Sequence, residues 1–338
     1  VDKYDGGDVS IGTFYTSSGV HGNNTISFYD TTSAGVNVDL SYDNGDTTIG
    51  RVINDGYGNT ETYVRNINNI IGTLEFSDIL KGNNSKNIIN GYGGNDTIYG
   101  IGGENTLYGG TGVDVIYAAT TKTVTERGDV VFGGQGIDTL IGSFHKDFLI
   151  GGEQNGYDVE TDWIDYSNIV LGTNDYGISV NLQQTINFIT DNTDRTYLNG
   201  NYSQVFRLDA NGTNTLNFDY ISQIENITGS SGDDTFTGNT SQNSILAGAG
   251  DDIIYYTRGL DYYDGGNHTT SSGQGSGTPS VGGGDWISLA KETTTTVNFD
   301  LYNSSVGANI TNSSATVTNI ENIIGYNGVQ ATTGWGTD

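Results

Sequence analysis

The sequence contains no cysteine, no methionine and a single proline, Pro279. Without cysteine no disulfide can brace the fold, and thiolate nucleophiles and thiolate metal sites are excluded. Basic residues are scarce: 12 Lys and Arg stand against 40 Asp and Glu, a net charge of −28. A surface of that sign repels nucleic-acid phosphates and anionic lipid, and it attracts cations. No apolar run approaches the ~20 residues of a membrane-spanning helix. Helix signals are nearly missing, because no long stretch keeps apolar residues at a 3.6 spacing. Hydrophobic residues make up only 34% of the chain, which with such a charge ordinarily means disorder. Two regularities argue otherwise. The Ile, Leu, Val, Tyr and Phe residues recur at regular spacing, and the acids recur at fixed offsets instead of in blocks.

Glycine is abundant, with 52 copies, and it marks a nine-residue period. From 73 to 117 the chain reads TLEFSDILK, GNNSKNIIN, GYGGNDTIY, GIGGENTLY and GGTGVDVIY. The sixth place holds Asp78, Asn87, Asp96, Asn105 and Asp114, and the eighth holds Leu80, Ile89, Ile98, Leu107 and Ile116. After an insertion at 118–128 the register resumes with Asp129/Val131, Asp138/Leu140 and Asp147/Leu149. A second array runs through Asp234/Phe236, Asn243/Ile245, Asp252/Ile254 and Asp261/Tyr263. A longer unit repeats as well. Alternating segments at 36–40, 178–182 and 297–301 each lead to a closing run, Ile67–Gly72, Ile224–Gly229 and Ile320–Gly325. The chain opens at Val1 inside what reads as a repeating series, so the expectation is a piece of something longer.

Physically, each nonapeptide reads as half a coil, a six-residue turn followed by a three-residue strand with one apolar side chain pointing inward. One small aliphatic group per nine residues offsets little of the entropy of ordering them, so such coils need a further cross-link. Two nonapeptides complete a coil, which stacks every second turn on the same edge. The expected strands are short and parallel throughout, with longer loops at 118–128, 183–214 and 267–284.

The repeats resemble the general calcium-binding pattern G-G-x-G-x-D-x-U-x and are similar to those of the RTX (repeats-in-toxin) family, most strongly at 109–117, 133–141 and 247–255. The resemblance implies an all-β chain, a parallel β-roll or β-helix solenoid with calcium-binding turns, interrupted by longer β-rich connecting segments. The expected division is a partial first unit over 1–72, a first array over 73–165, a connecting segment over 166–228, a second array over 229–288 and an incomplete third unit over 289–338. Calcium takes six to eight oxygen ligands, which suits carboxylates combined with carbonyls crowded inward at glycine corners. The expected metal positions are Asp78, Asp96, Asp114, Asp129, Asp138, Asp147, Asp162, Asp234, Asp252, Asp261 and Asp285, with Gly94, Gly110, Gly112, Gly134, Gly136, Gly248 and Gly250 at the corners. Asn87, Asn105 and Asn243 are weaker positions, since an amide oxygen does not offset the charge of the ion. The spacing assigns Asp78, Asp96, Asp114, Asp138 and Asp162 to one edge, opposite Asn87, Asn105, Asp129 and Asp147. It assigns Asp234, Asp252 and Asp285 to an edge opposite Asn243 and Asp261. One well-filled calcium row and one patchy row per array are therefore expected.

Other constellations carry less. His21, His145 and His268 have no metal-ligand spacing and read as surface residues. The acid pairs Asp233-Asp234 and Asp251-Asp252 could serve glycoside hydrolysis, but their repeat position favours calcium. Trp163, Trp286 and the 22 tyrosines could stack on sugars, although recurrence at equivalent places favours a structural wedge. The family is bacterial and secreted, so the resemblance implies several calcium ions as cofactors, an extracellular or cell-surface location, and a structural or adhesive role in a surface layer, adhesin or filament. Self-assembly and cell-surface glycans are the candidate partnerships, with no nucleic acid and no membrane span. The alternative is a carrier or catalytic β-helix of a polysaccharide-active or hydrolytic enzyme, with the loop at 183–214, which holds Asp191, Asp194 and Arg195, as its only candidate site.

Overall fold

Strands of mostly three residues recur every nine or so positions, and in the computed structural model they alternate between two sheets. The structure describes residues 3–5, 24–42, 49–58, 60–118, 128–143, 145–153, 160–172, 176–188, 200–209, 212–257, 259–266, 284–289, 298–299, 308–311, 315–320 and 322–324. Among these, no helix is long and apolar enough to cross a membrane. Contacts divide the chain into two units, Val1–Trp163 and Ile164–Asp338.

In the first unit, Thr25–Ser27, Asn69–Ile71, Ile88–Gly93, Thr106–Thr111, Val130–Gln135 and Phe148–Ile150 lie side by side in parallel. The intervening strands Asn37–Asp39, Ile79–Lys81, Thr97–Tyr99, Val115–Tyr117 and Thr139–Ile141 form the second parallel sheet. Register follows the eighth place of the repeat. Leu107 pairs with Ile89 and Val131, and Ile116 pairs with Ile98 and Leu140. All six are completely buried, so an inward ladder of aliphatic side chains is the core. Ninth-place rings stack on one another, with Tyr99 on Tyr117 at 4.5 Å and Tyr108 on Phe132 at 5.2 Å. Stacking covers the ring faces, which fits a bracing role for these aromatics.

The second unit repeats the plan. Thr235–Thr237, Ile253–Tyr255, Trp286–Ser288 and Asn322–Ile324 form one parallel ladder. Asn226–Thr228, Ser244–Leu246, Tyr262–Asp264 and Thr316–Thr318 form the other.

The expectation of parallel strands throughout holds for the arrays and fails for the connecting segments. Asn37–Asp39, Ile49–Asn54 and Thr60–Arg65 are antiparallel neighbours. So are Gly177–Phe188, Gly200–Leu208 and Asn214–Ser222, so strands stand at 183–188 and 200–208, where a loop is expected over 183–214. These strands run nine to twelve residues. Tyr202, Val205, Leu208, Phe218 and Ile221 are buried along them, a wider apolar pattern than one residue per nonapeptide. That pattern allows hairpins, which need no crossover. The insertion at 118–128 and the stretch at 267–284 lie almost wholly outside the described residues.

Candidate metal centres

Each sixth-place side chain points into its turn. All the aspartates and asparagines expected to meet metal are 1% exposed or less. Stacking connects them through one oxygen. The Asp78 N–H donates to Asp96 Oδ1 at 2.8 Å, the Asp96 N–H to Asp114 Oδ1 at 2.7 Å, the Asp114 N–H to Asp138 Oδ1 at 2.8 Å, and the Asp138 N–H to Asp162 Oδ1 at 2.7 Å. On the opposite edge the rail runs from Asn87 N–H to Asn105 Oδ1, from Asn105 N–H to Asp129 Oδ1, and from Asp129 N–H to Asp147 Oδ1. In the second unit Asp234 N–H donates to Asp252 Oδ1, Asp252 N–H to Asp285 Oδ1, and Asn243 N–H to Asp261 Oδ1. The edges are those the 18-residue spacing assigns.

The glycine corners explain how turns come this close. Gly94, Gly110, Gly112, Gly134, Gly136, Gly248 and Gly250 all have φ between +105° and +135°, where side chains are strained. A Cβ on Gly110 would run into the Tyr92 carbonyl, and one on Gly134 into the Gly110 carbonyl. Main-chain oxygens are thus stacked with no room for a side chain between them. Two further residues take positive φ at the same second place without being glycine, Tyr92 at +73° and Ile101 at +71°. Residue type alone did not reveal them, although their alignment with Gly110 does.

The second carboxylate oxygen separates the sites. Asp96 Oδ2, Asp114 Oδ2 and Asp252 Oδ2 are buried with no hydrogen-bond partner among the described residues. A Cβ on Gly91 would meet both Asp96 Oδ2 and the Gly109 carbonyl, and one on Gly109 would meet Asp114 Oδ2 and the Gly133 carbonyl. Acceptors therefore crowd acceptors, an arrangement that is costly unless a cation joins them. Burial pushes the Asp96 carboxyl up to about 8, with the charges of Asp114 and Asp78 adding to it, and pushes Asp114 to about 6. Asp252 is raised well above the usual carboxylate range, first by burial and then by the charges of Asp234 and Asp285. Among the described residues no three His, Cys, Asp or Glu side chains gather into a metal cluster. Sixth-place carboxylates come one per turn, so carbonyls must supply the remaining ligands, and an all-oxygen set of that kind suits calcium.

The other predicted positions divide differently. Asp78, Asp147, Asp234 and Asp261 have their Oδ2 atoms occupied by donors of the protein itself: Thr73 N–H at 2.6 Å, Ser143 Oγ at 2.6 Å, Ser230 N–H at 2.6 Å and Tyr263 Oη at 2.7 Å. His145 contacts the Ser143 hydroxyl at 3.0 Å, while His21, His268, Asp191, Asp194 and Arg195 lie outside the described residues. Asp233 and Asp251 stand one place before the buried rail and are joined by the Asp251 N–H to Asp233 Oδ1 bond at 2.9 Å.

A β-solenoid whose glycine-cornered turns stack carboxylates on carbonyls defines a class of cation-dependent repeat proteins. The family comparison agrees: four stretches, 73–103, 99–119, 124–157 and 228–263, match the RTX calcium-binding nonapeptide repeat. The chain carries RTX repeats, and such repeats bind calcium. No curated protein matches the chain.

Proposed function

We propose that this chain is a calcium-stiffened segment of a secreted bacterial cell-surface protein with a structural or adhesive role. The observation that carries the reading is the set of buried Oδ2 atoms without a partner among the described residues at Asp96, Asp114 and Asp252, whose Oδ1 atoms form the rail between stacked turns. Calcium supplies charge that neutralises these carboxylates and links one turn to the next. The chain's own part is to present the carboxylates of Asp96, Asp114, Asp138 and Asp252 and the inward carbonyls of glycine-cornered turns in a fixed frame. The arrays over 73–165 and 229–288 are then the calcium-dependent parts, 166–228 connects them, and 1–72 and 289–338 are a partial first and an incomplete third unit. The acids off the rail, Asp233 and Asp251, are tied to one another, and Asp251 also accepts from the Gly284 N–H at 3.0 Å, which fits bracing better than catalysis.

Pulling the chain by its ends in a single-molecule force experiment tests the mechanical role. Discrete unfolding events are expected in calcium and are expected to disappear in EGTA. Events of equal force in both conditions would overturn the reading. Antibodies against the chain are expected to label intact cells of its source, and labelling only after permeabilisation would contradict the surface location.

A further inference from the structure

The turns fall into two structural kinds, and the sixth residue does not decide which. Before Asp96, Asn105, Asp114, Asp138 and Asp252, the second and fourth places both have positive φ: Tyr92/Gly94, Ile101/Gly103, Gly110/Gly112, Gly134/Gly136 and Gly248/Gly250. Before Asp78, Asn87, Asp147, Asp234, Asn243 and Asp261, neither place does. In this second kind, a Ser, Thr or Asn near the start of the turn reaches the sixth-place side chain. The Asn83 N–H donates to Asn87 Oδ1 at 2.8 Å, the Asn239 N–H to Asn243 Oδ1 at 2.9 Å and the Ser230 N–H to Asp234 Oδ2 at 2.6 Å. The Ser230 hydroxyl adds a bond to Asp234 Oδ1 at 2.7 Å. Thr73 N–H serves Asp78, and Tyr263 Oη with the Thr257 hydroxyl serves Asp261. These turns are closed by their own donors.

Asn105 shows what the first kind of turn lacks. Its turn has the open backbone, but the side chain is an amide, and Nδ2 donates to the Gly100 carbonyl at 3.1 Å and the Gly102 carbonyl at 2.9 Å. It also reaches Asp129 Oδ2 at 3.3 Å. The amide hydrogens thus fill the place between carbonyls and carboxylate. In the Asp96 and Asp114 turns an acceptor oxygen stands at the corresponding position and has no donor among the described residues.

We propose that the backbone conformation at the second and fourth places selects which nonapeptides take calcium, and that Ser, Thr or Asn at the head of a turn replaces the ion with internal hydrogen bonds. This rests on the proposed calcium role of the arrays and refines it. Asp78, Asp147, Asp234 and Asp261 are then metal-free staples. Calcium in the second array is confined to the Asp252 edge, because Asn243 and Asp261 close the other. Asn105 occupies a calcium site with an amide, whereas Asn87 and Asn243 do not.

The test is a count of calcium bound by the whole chain in equilibrium dialysis. Asn105→Asp is expected to add about one ion, since it restores a carboxylate to an open turn, and Asn87→Asp is expected to add none. Asp252→Asn is expected to remove about one ion, while Asp261→Asn leaves the count unchanged. These exchanges preserve shape, and the far-UV spectrum in saturating calcium checks the fold of each. A calcium-soaked crystal of the unaltered chain gives the same answer without variants. Anomalous peaks are expected beside Asp96, Asp114 and Asp252 and none within ligand distance of Asp78, Asp234 or Asp261. Calcium binding in which both asparagine variants gain an ion, or peaks beside the closed turns, would overturn the selection rule alone. An unaltered chain that binds no calcium would overturn the proposed function as well.

Discussion

Gly112→Ala is expected to cost the first array about 3 kcal/mol or more, enough to lower its melting temperature sharply even in saturating calcium. Gly112 has φ +133°, and a Cβ there would stand inside the Gly94 carbonyl oxygen. That obstacle is main chain in the adjacent coil, so relief requires moving a turn that shares the Asp96–Asp114 rail. Gly58 supplies the comparison. It also has positive φ, +92°, but nothing lies within 4 Å of its missing Cβ, so Gly58→Ala should cost only about 1 kcal/mol of backbone strain. Thermal melts of both variants decide the matter. Equal losses would mean that the close stacking of turns is not what glycine serves here.

Acidification is expected to order the metal-free protein instead of unfolding it. Asp96, Asp114 and Asp234 are raised by burial from 3.8 to about 8, 6 and 7 respectively, and burial raises Asp252 well above the usual carboxylate range as well. Between those values and 3.8 the folded chain binds more protons than the unfolded one, so stability falls as pH rises. The contribution is complete below the unfolded value and is lost as pH rises through the folded values, about 6 for Asp114, 7 for Asp234 and 8 for Asp96. Relief of repulsion among 40 acidic residues works in the same direction. With calcium bound the sign reverses, because the ion requires the ionised carboxylate and competes with the proton. Melting curves in EGTA should therefore move down from about pH 5 to about pH 8, and those in saturating calcium should move up. A chelated protein whose stability rises with pH would show that its carboxylates are not buried without partners.

The rails were legible because they depend on a count. An 18-residue separation on each edge follows from a nine-residue half-coil, and it places Asp96 on Asp78 and Asp252 on Asp234 without any knowledge of side-chain geometry. The core was legible for the same reason, since Leu107 and Ile116 sit two places beyond their rail residues. Hairpins such as Gly177–Phe188 with Gly200–Leu208 were missed because strand direction depends on which partner captures an alternating segment, and the repeat does not encode it. The division of turns into open and closed was missed for a subtler reason. Aspartate at the sixth place looks identical in both, and the deciding atom is the N–H or hydroxyl of Thr73, Ser143, Ser230 or Thr257 some four residues earlier. Tyr263 added a donor from a place where the repeat calls for an aliphatic side chain.

Circular dichroism of the whole chain, with calcium and then with excess EGTA, tests the central claim most directly. The strand signal is expected to fall sharply and the melting transition to drop or vanish on chelation, with both restored when calcium returns. An unchanged spectrum and an unchanged melt in EGTA would contradict the claim that cations hold these turns together.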